Sequence, residues 1–348
     1  MILSEKESEF ISMKKTVFGT LPSGKTVYEY TFQNNTIELS VLDFGGIIHR
    51  FVVNGTDIVA GFDTLQDYLE DSSYQGAFIG RYGHRIKGSA FTLNGTKYNL
   101  SANEGRHHLH GGKIGFNRKI LTVESVTDTA ITFSYISPDG EEGYPGTLKA
   151  TVTYTLSDNA LSLHYTAVSD KDTVVNLTNH AYYNLNGYGN SDILSHILTL
   201  YANEVTEVDG ELIPTGNRIP VQNTVYDFNT PHTIGERVGN GFGGYDTNYI
   251  LSGGNEQAVA GYRLPLIATV KGEKLSMNVY TNQPCVQLYI GNMLTGKPAM
   301  KGGVPKMPHC TFCLETQVEP DSPNRNAAIL RKGETYEHIT VYEVKPLR

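Results

Sequence analysis

Between residues 148 and 165 apolar and polar side chains take turns. Leu148, Ala150, Val152, Tyr154 and Leu156 alternate with Lys and Thr, a Ser157-Asp158-Asn159 turn follows, and Leu161, Leu163 and Tyr165 resume the alternation. Successive side chains on a strand point to opposite faces, so this run predicts a hairpin with one buried face. Similar patterns occupy 36–42, 131–137, 274–280, 285–290, 311–317 and 336–343. Helical spacing is rare and short. DTLQDYLE at 63–70 predicts one helix, with Asp63 as N-cap and Leu65, Tyr68 and Leu69 on one side; TPHTIGERVG at 230–239 predicts another, with Pro231 at its first position. The 36 glycines and 14 prolines are scattered as turn punctuation and do not gather into a linker. No repeat with a period of about 20–50 residues marks a propeller or solenoid. These patterns predict an all-β chain, one large antiparallel β-sandwich with few short helices, in a single domain over 13–348 preceded by an N-terminal extension over 1–12.

Composition narrows the function without naming it. The 348 residues suffice for a substantial core, and 39% hydrophobic with 18% charged residues is ordinary for a globular protein. A net charge of -8 argues against nucleic acid as a partner, because phosphate binding needs a basic surface. No apolar run approaches membrane-spanning length, so no membrane partner is expected. The start, MILSEKESEFISM, lacks the basic and apolar regions of a signal peptide. Three cysteines, Cys285, Cys310 and Cys313, fit a reducing, cytoplasmic setting without a disulfide framework. Cys310 and Cys313 resemble a redox or zinc pair, but three positions apart on a strand they face opposite ways.

Five places hold groups able to do chemistry, and each has a bland alternative. GRYGHRIKG at 80–88 crowds Arg81, His84, Arg85 and Lys87 into a loop that reads equally as a solvated basic turn. RHHLHGG at 106–112 offers His107, His108 and His110; adjacent His107 and His108, with only Glu104 nearby, make a poor metal set, whereas Gly111-Gly112 would let a ligand approach His110. In NLTNHAYYNLNG at 176–187, Asn176, Thr178 and His180 share one strand face, either a solvent-facing edge or the wall of a polar pocket. GGYDTNYIL at 243–251 places Asp246 after two glycines, where an Asp commonly forms a turn. In TFCLETQVEP at 311–320, Cys313, Glu315 and Gln317 share a face opposite Phe312 and Leu314. A mid-strand Glu is costly to bury without a purpose, which makes Glu315 the best base candidate, with a plain exposed position as the bland alternative.

Taken in order and spacing, GRYGHRIKG, LHGG, NLTNHAYYNL, GYDTNY, QPCVQLYIGN and CLETQ resemble the aldose 1-epimerase (galactose mutarotase) family, as do ISPDGEEGYPG and ELIPTGN, over nearly the whole chain from about Thr16. The resemblance implies a large β-sandwich of the galactose mutarotase type, a supersandwich. It implies Glu315 as general base, His180 as general acid, and Arg85, His110, Asp246 and Gln287 as sugar-binding groups. His84 stands where the family usually has Asn, and Tyr182 lies beside the acid as a further candidate contact. Tyr183 stands where Phe or Trp is usual, and Ala181 where Ser is frequent.

The implied reaction interconverts the α and β anomers of free hexoses such as galactose and glucose. It opens a cyclic hemiacetal by removing a proton from the C1 hydroxyl while donating one to the ring oxygen. An acid and a base suffice, so neither metal nor other cofactor is expected. His180 suits the acid role because an unperturbed imidazole titrates at about 6.5. The partner expected is a small-molecule sugar, a free aldohexose, with monomer and homodimer both open. The alternatives are a non-catalytic carbohydrate-binding module, and an epimerase for a hexose 6-phosphate (Arg81, Arg85 and Lys87 being close in sequence) or for a reducing disaccharide such as maltose. A glycosidase would have to pair Glu315 with Asp246.

Overall fold

The alternating run at 148–165 forms the hairpin it predicts. Leu148–Ser157 pairs antiparallel with Ala160–Ser169 in unbroken register, and Leu148, Val152, Tyr154, Leu163 and Tyr165 are buried. The computed structural model describes residues 13–239 and 241–347; the expected extension over 1–12 lies outside them. The hairpin sits inside a ten-stranded antiparallel sheet. From one edge its strands run Thr122–Val126, Ala130–Ser137, the hairpin, Thr335–Pro346, Leu275–Thr281, Tyr262–Lys271, Ile197–Leu200 and His232–Thr233, and Glu256–Val259 also pairs with Tyr262–Lys271.

Two five-stranded sheets complete the sandwich. The N-terminal one is a meander from Lys14–Thr20 to Thr56–Asp57. The other runs in the order Pro214–Pro220, Ala202–Val208, Asp246–Leu251, Cys285–Tyr289, Cys313–Gln317. Leu39, Val41 and Phe51 of the first, Val152 and Leu163 of the large sheet, and Tyr249, Val286, Leu288 and Leu314 of the last join one apolar cluster. One core therefore spans all three sheets, as the sandwich expectation requires.

The register of the last sheet sets up everything that follows. Asn248 lies opposite Gln287, and Gln287 opposite Glu315. Period two then puts Asp246, Asn248, Gln287, Tyr289, Cys313, Glu315 and Gln317 on one face, and Tyr249, Val286, Leu288 and Leu314 on the core face. The exception on the core side, Thr316, is satisfied by His338 Nε2 at 2.9 Å and Thr340 Oγ1 at 2.5 Å. His338 also donates from Nδ1 to the Leu177 carbonyl at 2.8 Å, tying the strand of Glu315 to the segment that leads into His180.

Two helix expectations need correction. The first helix is Leu65–Glu70 and its cap is Thr64, whose hydroxyl accepts from Asp67 N at 3.1 Å. Asp63 is diverted outward, accepting from Gly302 N at 2.7 Å. The second is absent: His232–Thr233 pairs with Ile197–Leu200, and only a 3₁₀ turn, Ile234–Arg237, follows. Gly235, a poor helix former, packs where a side-chain carbon would meet Leu194 at 2.7 Å, so sheet pairing and close approach override the helical spacing. Among the described residues no helix is long and apolar enough to cross a membrane.

The 80–88 loop is not a solvated basic turn. Arg81 is only 2% exposed and donates to Ser137 Oγ and to the carbonyls of Ser137, Pro138, Pro145 and Gly146 at 2.7–3.0 Å. It thereby fastens the 137–146 loop beneath the turn that carries His84 and Arg85. Replacing Arg81 with Met strands those carbonyls, so a loss on the order of 3 kcal/mol or more is expected. A urea titration reads it as a lowered midpoint with an unchanged slope; a midpoint equal to that of the unsubstituted protein would show the arginine to be dispensable.

Candidate active site

The polar face of the last sheet forms the floor of a cavity of about 250 Å³. Its wall includes His84, Arg85, His110, His180, Tyr182, Asp246, Gln287 and Glu315, so all eight residues singled out from the sequence converge there. Tyr74, Glu104, Tyr289 and Met293 are further wall residues. This volume is near the lower end for small-molecule pockets, about 300–1,000 Å³, and suits a single ring.

Each side chain is held by a local device. Arg85 lies on a two-residue strand, Arg85–Ile86, paired with His108–Leu109. Its guanidinium makes a two-pronged contact with Glu104, Nε to Oε2 and a terminal nitrogen to Oε1, both at 2.7 Å. His110 takes a positive φ of 49°, and its Nδ1 accepts from the His84 backbone N–H at 3.0 Å. A neutral imidazole accepting at Nδ1 carries its proton on Nε2. Gly111 does not make room for a ligand, as the sequence suggested; a side-chain carbon there would sit 1.8 Å from the Gly80 carbonyl oxygen at a φ of +84°. The glycine lets the chain turn tightly under His110.

His180 follows the short strand Thr178–Asn179, which pairs with Phe78–Ile79. Its own N–H donates to Ala77 O at 2.9 Å, and its carbonyl accepts from Gly76 at 3.0 Å. The alternation expected for 176–180 does not persist. Asn176 faces away from the cavity: its Nδ2 donates to Gly83 O at 3.0 Å and its Oδ1 accepts from Val318 N at 3.2 Å. Asn184 likewise donates to the carbonyls of Ser191 and Cys310 at 2.8 and 3.0 Å. Asn176, Asn179 and Asn184 are buried clamps on backbone, and neither reading made from the sequence, solvent edge or pocket wall, describes them. Tyr182 stacks on His180 with ring centroids 5.0 Å apart, while its hydroxyl donates to Ser73 O at 2.9 Å. It offers the cavity a ring face and no free hydroxyl.

The remaining histidines leave the site. His107 Nδ1 accepts from Gly88 N at 3.0 Å, and His108 bridges Ser101 O and the Tyr144 hydroxyl at 2.7 and 2.6 Å. A different trio could hold an ion: atoms of His110, His180 and Glu315 all lie within 4.8 Å of one another. The His110 tautomer opposes this, because its other nitrogen carries a proton and has no lone pair to give.

Burial dominates the electrostatics. Glu315 is 2% and His180 6% exposed, with His180 Nε2 3.6 Å from Glu315 Oε1, beyond a direct hydrogen bond. Desolvation, reinforced by the Asp246 carboxylate, pushes Glu315 well above the usual carboxyl range, with Arg85 opposing. Desolvation pushes His180 down from 6.5 to about 4. The expectation of an imidazole titrating near 6.5 therefore fails, because a backbone hydrogen bond offsets only part of the lost hydration. His84 and His110 are held neutral by burial together with neighbouring cations and imidazoles. Asp246, enclosed by protein although partly open to the cavity, is raised by desolvation and accepts from Gln287 Nε2 at 2.6 Å. Three buried polar atoms of the wall lack a partner: Glu315 Oε2, Gln287 Oε1 and His84 Nδ1. Such atoms are costly to leave bare and mark where a polar ligand would bind.

Tyr289 and Glu104 escaped the sequence reading for different reasons. Tyr289 was recoverable from period two, lying two positions beyond Gln287 on the same face. Glu104 was weighed only as a metal ligand, and its pairing with Arg85 depends on a contact between separate loops. Tyr74, in an irregular segment with a positive φ of 59°, has no periodic signal at all.

Residues 28–343 match the sequence profile of a family described as aldose 1-epimerase. The chain is 39% identical over 342 residues to the galactose mutarotase of Homo sapiens, covering 95% of this chain and 98% of that one. It is 33% identical over 347 residues to the aldose 1-epimerase of Escherichia coli strain K12, covering 92% and 96%. A crystal structure of an aldose epimerase homologue from C. elegans superposes with a TM-score of 0.83 at 27% identity, over 92% of this chain and 99% of that one.

Proposed function

The chain belongs to the aldose 1-epimerase family, and from that premise we propose how it interconverts the α and β anomers of free hexoses, galactose and glucose among them. The observation that carries the reading is the buried His180–Glu315 pair, 3.6 Å apart on the cavity wall, with Glu315 Oε2 unpartnered.

The two oxygens that must exchange protons, the C1 hydroxyl and the ring oxygen, are bonded to one carbon. A base and an acid a few ångströms apart can reach both at once. In ring opening, Glu315 as carboxylate removes the C1 hydroxyl proton, the C1–ring-oxygen bond breaks, and His180 as imidazolium protonates the departing ring oxygen from Nε2. This yields the open aldehyde, a protonated Glu315 and a neutral His180. Rotation about the C1–C2 bond presents the other face of the carbonyl. Closure then reverses the transfers: His180 takes the hydroxyl proton and Glu315 returns its proton to the new C1 oxygen.

The pair needs one proton between its members throughout, and a dry cavity favours the arrangement in which both are neutral. That is the form produced by opening and consumed by closure. A bound sugar replaces part of the lost solvation of the ionised form. His110, donating from Nε2, Arg85 with its guanidinium fixed by Glu104, and His84, Asp246 and Gln287 supply hydroxyl contacts. Tyr182 and Tyr289 supply apolar surface for a sugar face.

Other readings fare worse against particular contacts. A hexose 6-phosphate calls for clustered cations, but Arg81 is spent on backbone carbonyls and Arg85 is the only cation lining the cavity among the described residues. A glycosidase would pair Glu315 with Asp246, but Asp246 accepts from Gln287 Nε2 at 2.6 Å, and an imidazole nitrogen stands 3.6 Å from Glu315. A purely sugar-binding module has no use for an acid–base pair.

Polarimetry of freshly dissolved α-galactose and α-glucose, corrected for the spontaneous rate, tests the reaction. Glu315→Gln and His180→Asn are each expected to lower kcat by about 10²–10⁴-fold with an unchanged thermal midpoint. Near-normal turnover of Glu315→Gln would overturn the base, and full activity of His180→Asn would transfer the acid role to His110. The pH profile follows from the pKa directions. At low pH both members are protonated and the base is lost; since His180 is depressed to about 4, the acid limb should fall nearer 4 than 6.5. At high pH the shared proton is lost, and the raised Glu315 displaces that limb upward. A kcat/KM profile with its acid limb at or above 6.5 would contradict this. Dialysis against a chelator is expected to leave kcat unchanged; a large loss restored by a divalent ion would mean the His110 trio binds metal.

A further inference from the structure

His180 shows the cavity one ring nitrogen and hides the other. Nε2 faces Glu315, while Nδ1 points back into the sheet, where its side-chain neighbour is the sulfur of Cys313 at 3.5 Å. Cys313 lies two residues before Glu315 on the same strand face and is fully buried. Besides a hydrogen bond to its own backbone, the ring's other contacts are with aromatic rings. Tyr182 and Tyr74 stack at 5.0 and 6.0 Å with interplanar angles of 18°, and His110 and Tyr289 meet it edge-on at 5.3 and 6.4 Å. These rings fix the plane of the imidazole, but none fixes which nitrogen carries the proton.

The chemistry constrains that choice. An acid that gives its proton from Nε2 and stays neutral afterwards must keep a second proton on Nδ1 throughout. If the thiol instead donated to Nδ1, neutral His180 would carry its only proton on Nε2, and releasing it would leave an imidazolate, far too basic a product near neutral pH. Resting on the acid role proposed above, we infer that Cys313 is a positioning residue whose sulfur accepts the His180 Nδ1–H and fixes Nε2 as the nitrogen that exchanges its proton with the sugar.

A thiol is a soft, weak acceptor. It orients the ring without adding a charge, unlike a carboxylate at that position, which would stabilise the imidazolium and weaken it as an acid. The thiol itself stays protonated, because burial and the nearby Glu315 and Asp246 carboxylates push it well above its ordinary range. The two cavity histidines thus hold opposite tautomers: His110 accepts at Nδ1 and is a fixed Nε2 donor, whereas His180 donates at Nδ1 and shuttles through Nε2.

Nitrogen NMR of histidine-labelled protein reads both tautomers directly, with His110 as internal reference and His180→Asn to assign the signals. In the neutral state His180 is expected to be protonated on Nδ1 and His110 on Nε2. Cys313→Ala should mix the His180 tautomers and lower kcat about tenfold while KM changes less than about twofold, since ring orientation is lost and sugar contacts are not. Cys313→Ser, whose shorter side chain keeps an acceptor, should fall between the two and serves if the alanine variant fails to fold. His180 protonated on Nε2 in the unsubstituted protein would overturn the inference, as would Cys313→Ala or Cys313→Ser with unaltered tautomer and kcat. Loss of activity in Glu315→Gln and His180→Asn alongside such a result would leave the acid–base reading standing and remove only the role of Cys313.

Discussion

Burial of one carboxyl group organises this protein. Glu315 stands in the middle of a strand whose opposite face, Leu314 and Thr316, closes the core, and on the cavity wall it is almost wholly buried. An ionised carboxylate in such a place is costly unless neutralised or paired. Here the surroundings withhold a fixed counter-ion. Arg85 is committed to Glu104, and Asp246 adds a like charge. The imidazole that faces Glu315 is itself buried and pushed towards neutrality. Two groups that each resist ionisation, with one proton between them, are what the proposed proton exchange with a sugar requires.

That arrangement depends on long-range polar clamps more than on the strand of Glu315 alone. His180 follows one sheet and Glu315 lies in another, and their spacing is kept by groups that never enter the cavity. Asn176 ties the turn at Gly83 to Val318, His338 ties Leu177 to Thr316, and Arg81 anchors the loop over 137–146 beneath the turn that bears Arg85. Each satisfies backbone groups that would otherwise be buried and bare, so each holds position strongly. A cluster of asparagines beside a histidine is the sequence trace of this clamping.

How much of this could be read from residue order varies with the range of the interaction that decides it. The hairpin over 148–169 and the strands carrying Gln287 and Glu315 were legible because period two is a local consequence of one buried face. The shared face of Cys313, Glu315 and Gln317 followed from the same rule. The run 176–180 misled because only Thr178 and Asn179 pair as a strand, and Asn176 answers to backbone distant in sequence. The helix over 230–239 failed because an edge strand needed a partner and Gly235 had to pass close to Leu194. Arg85 was legible as a site residue, but its neutralisation by Glu104 was not, since two loops meet only in the folded state. The downward shift of His180 was equally invisible, being a property of the closed cavity.

The shared-proton pair is tested most directly on the unliganded protein, by an NMR titration of glutamate side-chain carboxyl carbons with Glu315→Gln to assign the signal. One carboxyl is expected to titrate well above the ordinary 4.5 and to vanish in that variant. If every glutamate titrates at or below 4.5, Glu315 rests as a solvated carboxylate, and the one-proton mechanism is wrong.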